Sequence, residues 1–293
     1  MTRKCWRLLP TLAIALSGLS AQAQQPTPPA PPTLAGYTLP ATQMWDMPSG
    51  HGDIYRIMLS FPKGEPPAGG YPVLYILDGN ASFASFAETR RLLEYAGQGK
   101  ALIVGVGYPT DQAYDARRTA DFLYPVPTRE PPAQPQPQLR TKDTGRDRFL
   151  DFLTGKLRTE IGKRYRIDLD RQSLFGHSFG GLFALHALYT RPEAFYSIVA
   201  ASPSLGWNMQ DMLREERAFT AGLASGKTVR MSRLMLVVGD QDTDDDPEPA
   251  RALASRLDLL SGYGLSTRFR RYDAEIHITV PTRAVTDTLR FVF

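Results

Sequence analysis

The pentapeptide Gly-His-Ser-Phe-Gly at residues 176–180 constrains the fold of this chain more than any other stretch. A short apolar run, residues 173–175, precedes it, and a longer apolar run, residues 182–185, follows it. A serine among glycines at such a junction fits a tight turn, because glycine adopts positive φ without strain. It also fits a nucleophile elbow, in which a strained strand-to-helix turn lifts the serine hydroxyl above the edge of a sheet. The rest of the chain has to decide between these two interpretations.

Strand-like and helix-like segments alternate along the chain. Seven segments have the pattern of strands: residues 54–61, 72–77, 101–106, 173–175, 197–200, 234–238 and 267–272. Four have the pattern of helices: residues 83–95, 146–165, 179–189 and 248–260. This alternation predicts an α/β fold with a mainly parallel central sheet and helices on both faces. Ser178 then lies at the carboxyl end of a strand, where an elbow requires it, and we interpret it as a nucleophile.

The first 23 residues have the pattern of a cleaved signal peptide. They begin with three basic residues: Arg3, Lys4 and Arg7. The apolar residues 8–19 and a small-x-small site at residues 21–23 follow. Because the apolar run is too short to span a membrane, we expect cleavage after Ala23 and a soluble, periplasmic protein.

Export also changes the charge and the cysteine content. Loss of three basic residues lowers the formal charge from +4 to +1, so the high isoelectric point does not indicate a nucleic-acid partner. The single cysteine, Cys5, lies within the signal. We therefore expect a mature protein without disulfides or metal–thiolate sites. We also expect no cofactor and no metal.

Two Pro-rich segments punctuate the chain. Residues 24–36 have the composition of an extended linker, which places the hydrolase-like domain at residues 37–293. Residues 124–144 form a second Pro- and Gln-rich segment inside that domain. A long loop of this kind is either a functional lid or a surface insertion without packing, and both interpretations stay open.

A serine hydroxyl needs a base, and α/β-hydrolases supply it in the chain order serine, acid, histidine. Of the four histidines, His51 precedes the elbow, and His177 adjoins the serine with its side chain expected to point away. His186 lies roughly 12 Å along the following helix at about 1.5 Å per residue. His277 follows the last predicted strand, where the order places the base, and is our prediction for it.

The acid is expected in the acidic loop after the strand at residues 234–238. Asp242 is our choice, with Asp240 and Asp244 as rivals. Such a loop would also fit solvated charge or a weak cation site. Its place at the sheet edge favours the catalytic interpretation.

An oxyanion hole needs backbone N–H groups aimed at the charge that develops on the ester oxygen. One is expected from Phe179, the residue after the nucleophile. The second is expected from the segment YILDGNASF, where Gly79 permits close backbone approach; Gly79 or its neighbour Asn80 is the candidate donor.

Several motifs resemble the esterase D-type putative esterase family of α/β-hydrolases: YILDG, VGVGYP, ARRTADFLYP, FGHSFGGLFALHAL, ASPSLGWN and EIH. The resemblance covers about residues 37–293 and is closest to exported esterases that open the trilactone ring of catecholate siderophores such as enterobactin. It implies catalysis by Ser178 and His277. It also implies substrate contact by the arginine of an R-x-x-D-F-x-x-P segment, here Arg118 followed by Asp121. Some members of the siderophore subgroup resemble Ser–His dyads, so the resemblance leaves the acid open.

Arg118 and Trp207 suit a catecholate substrate on chemical grounds. Ferric catecholates are anionic and aromatic, and a guanidinium group offers a planar fork of donors that also stacks on rings. An indole ring offers a stacking wall. A surface ion pair for Arg118 and a core position for Trp207 are the competing interpretations.

The sequence thus predicts an exported serine esterase acting on a small-molecule partner, a cyclic trilactone siderophore that is free or iron-loaded. One alternative is the same chemistry on another ester, by an S-formylglutathione-type thioesterase, a feruloyl-type esterase or an acyltransferase. The other is a siderophore-binding protein that keeps the fold without catalysis.

Overall fold

A computed structural model describes residues 37–123, 145–207, 209–226, 232–244 and 246–293 of the chain. Residues 1–38 form one unit, of which two residues are described, and residues 39–293 form a second, compact unit. The predicted signal peptide (residues 1–23), the linker (residues 24–36) and the Pro-rich insertion (residues 124–144) lie outside the described residues.

The described part of the compact unit contains one eight-stranded sheet. Its strands are β1 (Thr42–Pro48), β2 (Ile54–Ser60), β3 (Tyr71–Leu77), β4 (Leu102–Gly107), β5 (Ile167–His177), β6 (Ser197–Ala201), β7 (Ser232–Gly239) and β8 (Leu265–Tyr272). Their order across the sheet is β1-β2-β4-β3-β5-β6-β7-β8. Strand β2 runs antiparallel to both of its neighbours, β1 and β4, and β3 to β8 are parallel to one another. The carboxyl ends of six strands therefore share one edge of the sheet.

The helices connect these strands. They are α1 (Gly79–Tyr95), α2 (Arg118–Phe122), α3 (Gly145–Asp151), α4 (Arg158–Arg164), α5 (Phe179–Thr190), α6 (Met209–Ala224), α7 (Pro247–Asp258) and α8 (Val280–Val292). A π-helical segment, Phe152–Leu157, joins α3 to α4. None of the helices in the described ranges has both the length and the apolar character needed to cross a membrane.

Strand β3 shows why the two faces of the sheet are both covered. All seven of its residues are buried, as expected for a strand in the interior of a parallel sheet. Alternate residues belong to two cores: Val73, Tyr75 and Leu77 pack with α3 to α7 on one face. Leu74 and Ile76 pack with α1 and α8 on the other. The predicted fold class, α/β with a mainly parallel sheet and helices on both faces, is confirmed.

Some elements differ from the sequence prediction. Helix α1 begins at Gly79, four residues before its predicted start, because its first turn is buried against the sheet. The single helix predicted over residues 146–165 is interrupted by the π-helical segment, where Thr154 Oγ1 bonds to the carbonyl of Leu150. Strand β1 and helices α2, α6 and α8 were not predicted. Helix α8 starts with a proline in its first turn, where the missing N–H costs little.

Candidate active site

Ser178 occupies a strained turn between β5 and α5. Its φ of 59° and ψ of −122° lie outside the regions that ordinary residues favour. The turn is held by a hydrogen bond from the Ser178 N–H to the carbonyl of Ala201 at the end of β6. A Cβ on Gly176 would lie 2.0 Å from the carbonyl oxygen of Gly180, so this position tolerates no side chain. The sequence thus forms an elbow that places the serine hydroxyl at the carboxyl edge of the sheet.

The hydroxyl of Ser178 has a neighbour that the sequence did not indicate. Its Oγ lies 3.3 Å from Oγ of Ser204, and either oxygen can be the donor. The Ser204 N–H also bonds to the Ser178 carbonyl at 3.4 Å. The segment after β6 therefore borders the elbow directly.

His277 and Asp242 meet at the same edge. The His277 Nδ1 lies 3.1 and 3.2 Å from the two carboxylate oxygens of Asp242. The Asp242 side chain is fully buried, and the His277 side chain is 17% exposed. When Nδ1–H donates to the carboxylate, the lone pair of the neutral ring is on Nε2, as a general base requires.

The three aspartates of the acidic loop have different partners. Asp240 Oδ1 accepts a hydrogen bond from the Ala274 N–H at 2.7 Å and so ties the loop after β7 to the turn after β8. The Asp244 N–H donates to Asp242 Oδ1 at 3.1 Å. Of these carboxylates, Asp242 is the one that faces His277. Its role as the catalytic acid stays a prediction. Within the described residues, no three His, Cys, Asp or Glu side chains form a group that could hold a metal ion.

His177 supports the loop that carries His277. Its Nε2 lies 2.9 Å from the His277 carbonyl oxygen, and the two rings pack at 4.6 Å between centroids, tilted by 45°. Burial, and next the nearby His277 ring, lower the pKa of His177 to about 3. His177 is therefore a neutral Nε2–H donor at physiological pH and too weak a base to activate a serine.

The remaining histidines lie in other networks. His186 is buried in α5, and its Nδ1 lies 3.0 and 3.1 Å from the Glu215 carboxylate oxygens of α6. His51 is exposed in the turn between β1 and β2, where its N–H bonds to Ser49 Oγ.

The predicted oxyanion donors occupy matching positions. Gly79 is the first residue of α1 and Phe179 is the first residue of α5. Each follows a non-glycine residue with positive φ, Asp78 at 50° and Ser178 at 59°. The first N–H groups of a helix have no intrahelical acceptor and carry partial positive charge. Because β3 and β5 are adjacent and parallel, these two helix starts lie side by side.

Gly79 is tightly packed, whereas Asn80 has a different task. A Cβ on Gly79 would lie 2.9 Å from Gly105 backbone and from the Met58 side chain. The Asn80 carboxamide accepts from the Tyr108 N–H and donates to the carbonyls of Tyr108 and Thr110. The Asn80 side chain thus connects α1 to the segment after β4. Of the two candidate oxyanion donors, Gly79 is the one that directly follows Asp78, the residue with positive φ.

Arg118 and Asp121 share a sequence motif but contact different partners. Arg118 forms a bidentate ion pair with Asp78, the residue immediately before Gly79. Asp121 accepts hydrogen bonds from the hydroxyls of Tyr55 at 3.0 Å and Tyr108 at 2.8 Å. Burial raises the pKa of Asp121 to about 6. Assignment of Arg118 to substrate contact stays a prediction, and the sequence did not indicate its pairing with Asp78.

Apolar side chains that are exposed to solvent lie next to the candidate catalytic groups. Trp207 is 49% exposed, and its ring packs on Phe179 at 4.8 Å between centroids. Ile276 and Ile278, on either side of His277, are also exposed. Trp207 therefore belongs to a surface rather than to the core. Its predicted stacking with substrate stays a prediction.

Comparison with known proteins identifies the family of this chain. The family described as "Putative esterase" matches residues 50–273. The ferri-bacillibactin esterase BesA of Bacillus subtilis (strain 168) is 34% identical over 267 residues, which are 88% of this chain and 92% of that protein.

Solved structures agree with the family match. The BES protein from Bacillus cereus has a TM-score of 0.78 at 34% identity, over 88% of this chain and 98% of that chain. The siderophore hydrolase EstA from Aspergillus nidulans has a TM-score of 0.70 at 29% identity, over 88% of this chain and 97% of that chain. The family predicted from the motifs is confirmed: this chain belongs to the putative esterase family, on the α/β-hydrolase fold.

Proposed function

We propose that this chain is an exported serine esterase that hydrolyses the trilactone backbone of catecholate siderophores, free or ferric. The observation that carries the proposal is the buried Asp242 carboxylate on His277 Nδ1, at the sheet edge that also bears the strained Ser178. Relatives named as siderophore esterases support the substrate class.

The first half of the reaction forms an acyl-enzyme. Ser178 Oγ attacks the ester carbonyl, and its proton passes to His277 Nε2. Asp242 stabilises the resulting imidazolium. The N–H groups of Phe179 and Gly79 hold the oxyanion. The carbon–oxygen bond to the leaving alcohol then breaks, and His277 returns the proton to that alcohol.

Water completes the cycle. His277 takes a proton from the attacking water, a second tetrahedral oxyanion forms in the same hole, and the bond to Ser178 Oγ breaks. The serine recovers its proton from His277, and a carboxylic acid leaves. In a cyclic trilactone the first cycle opens the ring, and each further cycle shortens the linear product.

The apolar border of the site supports an aromatic substrate. Trp207, Ile276 and Ile278 expose apolar area next to the catalytic groups. Flat aromatic rings bury much area on such surfaces and gain from edge or offset stacking on indole. The catechol arms of the proposed substrate have this character.

The test is product analysis by chromatography and mass spectrometry after incubation with enterobactin and ferric enterobactin, with Ser178→Ala as the matched control. We expect linear and shorter fragments from the unsubstituted protein and intact substrate from the variant. Faster turnover of S-formylglutathione, of a feruloyl ester or of an acyl-transfer acceptor would overturn the substrate class. Tight binding without turnover, together with no labelling of Ser178 by a fluorophosphonate, would mean a binding protein.

A further inference from the structure

Arg118 and Asp78 form a buried ion pair next to the elbow. The Arg118 Nε and Nη2 lie 2.8 Å from the two carboxylate oxygens of Asp78, in a parallel, two-bond arrangement. The Arg118 side chain is 11% exposed and the Asp78 side chain 2%. Such a pair costs much desolvation and on average does not stabilise a fold relative to apolar residues of the same size. Its place in the molecule therefore calls for another explanation.

Asp78 controls the direction of the Gly79 N–H. The Asp78 carbonyl and the Gly79 N–H belong to one planar peptide group, so fixing one fixes the other. The Asp78 carbonyl accepts hydrogen bonds from Ala81 and Ser82 in the first turn of α1. Asp78 has left-handed backbone angles, φ 50° and ψ 49°, a conformation that is strained for a non-glycine residue and persists only when its surroundings hold it. The paired side chain supplies that hold.

The same ion pair also contacts the elbow. The Arg118 guanidinium carbon lies 5.2 Å from the centre of the Phe179 ring and 5.3 Å from the centres of the Tyr114 and Phe122 rings. The position that a Cβ on Gly180 would take is 3.5 Å from Asp78 Oδ2. One buried unit thus lies against both chain segments that carry the oxyanion donors.

We propose that Arg118 is a positioning residue that, through Asp78, fixes the Gly79 N–H relative to the Phe179 N–H, and that it leaves substrate reading to other groups. This inference rests on the proposed serine-esterase mechanism. It replaces direct substrate contact as the role of Arg118. Two of the guanidinium N–H groups are already committed to Asp78, and its carbon lies near the centres of three aromatic rings.

Arg117 provides a matched control. It is the neighbouring arginine, its side chain is 46% exposed, and it pairs with Asp115. We compare Arg118→Lys, Arg118→Leu and Asp78→Asn with Arg117→Leu, by measuring kcat and KM on p-nitrophenyl acetate and on a catecholate trilactone. Thermal unfolding and circular dichroism check that each variant folds. Asp78→Asn and Arg118→Lys keep size and polarity, so they serve if Arg118→Leu does not fold.

The expected result is a fall in kcat of about 100- to 1000-fold on both esters with little change in KM, as for loss of one oxyanion donor. Arg118→Lys should recover part of the loss, because a point charge cannot reproduce the two-bond fork. The double variant Asp78→Asn/Arg118→Leu should lose no more kcat than the worse of its two single variants, since the pair acts as a unit. Arg117→Leu should stay within about twofold of the starting rate.

Loss on the catecholate ester with the neutral ester spared would overturn the proposal and make Arg118 a substrate contact. A rise in KM with kcat unchanged would do the same. A second readout does not depend on turnover: the amide resonance of Gly79 in a ¹⁵N spectrum should move in Arg118→Lys and stay in Arg117→Lys. An unmoved resonance overturns the positioning role, whereas an inactive starting protein with a moved resonance counts against the serine-esterase mechanism alone.

Discussion

His177 donates its Nε2–H to the carbonyl oxygen of His277 at 2.9 Å, and its ring packs at a tilt against the ring of the same residue. Two adjacent imidazoles cannot both be charged without mutual repulsion. Because burial lowers the pKa of His177 to about 3, His177 stays neutral at physiological pH. In the proposed mechanism, His177 therefore supports the base, His277, and does not compete with it for the proton of Ser178.

This arrangement predicts a particular acid sensitivity of the fold. The folded-state pKa of His177 is about 3, below about 6.5 for an unfolded histidine, so the unfolded chain binds the proton first as the pH falls. The contribution of neutral His177 is complete above about pH 6.5 and is lost progressively toward pH 3. Between pH 7 and pH 5 the starting protein should lose about 2 kcal/mol more unfolding free energy than His177→Gln.

Urea unfolding at the two pH values measures this difference. His51→Gln, which removes an exposed histidine from a turn, is the control and should keep the full loss. Equal losses in the His177 variant and the starting protein would show that His177 is not held neutral.

Ser178→Ala should abolish ester hydrolysis, by at least about a thousandfold in kcat, because the covalent route is lost. The fold should persist, since the elbow is held by backbone bonds such as Ser178 N–H to Ala201.

His277→Ala should lower kcat nearly as much as Ser178→Ala, and the double variant Ser178→Ala/His277→Ala little more, because the two groups act as a unit. Additive losses in steady-state kinetics would exclude His277 as the base for Ser178.

Asp242→Asn should lower kcat by as much as about 10⁴-fold with little change in KM, because the amide can hold the wrong tautomer of His277 and cannot stabilise its charge. Asp240→Asn is the matched control, since its carboxylate bonds to the Ala274 N–H and not to His277. A larger effect at Asp240 would mean that the acid is misplaced. Full activity of both variants would mean a Ser–His dyad.

The exported form should begin near Gln24, because the small-x-small site at residues 21–23 ends a signal-like segment. It should carry no lipid, because the single cysteine, Cys5, lies before the apolar residues of that segment. Mass spectrometry of protein from a periplasmic fraction measures the start directly. A chain that retains Cys5, or one found only in the cytosolic fraction, contradicts the prediction.

The sequence alone predicted those parts of the site that follow from chain order. An elbow has a recognisable glycine pattern, and the order of the catalytic groups along α/β-hydrolases led to His277 and to Asp242. It did not reveal the contacts between residues far apart in the chain: Asp78 with Arg118, forty positions apart, or His177 with His277, a hundred apart. Such pairs carry no local signal, because each member alone resembles an ordinary polar residue.

In the fold, too, some elements were predicted from the sequence and others were not. Strand β3 was predicted well because burial on both faces gives a continuous apolar run. Helix α8 was missed because its first turn contains a proline and its exposed face is polar, although its buried residues recur at helical spacing. Tertiary packing decides such elements more than local propensity does.

The register between β3 and β5 sets the position of Gly79 relative to Ser178. Ile76 pairs with Phe175, and three residues further along each strand the chain reaches Gly79 and Ser178. A slip of one residue would move one segment about 3.3 Å along the other, far beyond the roughly 0.5 Å within which catalytic groups must be held. The irregularity in this pairing lies at the opposite end, between Tyr71 and Val73. We therefore expect an insertion or deletion near the carboxyl end of either strand to displace Gly79 relative to Ser178, and one near the amino ends to displace them less.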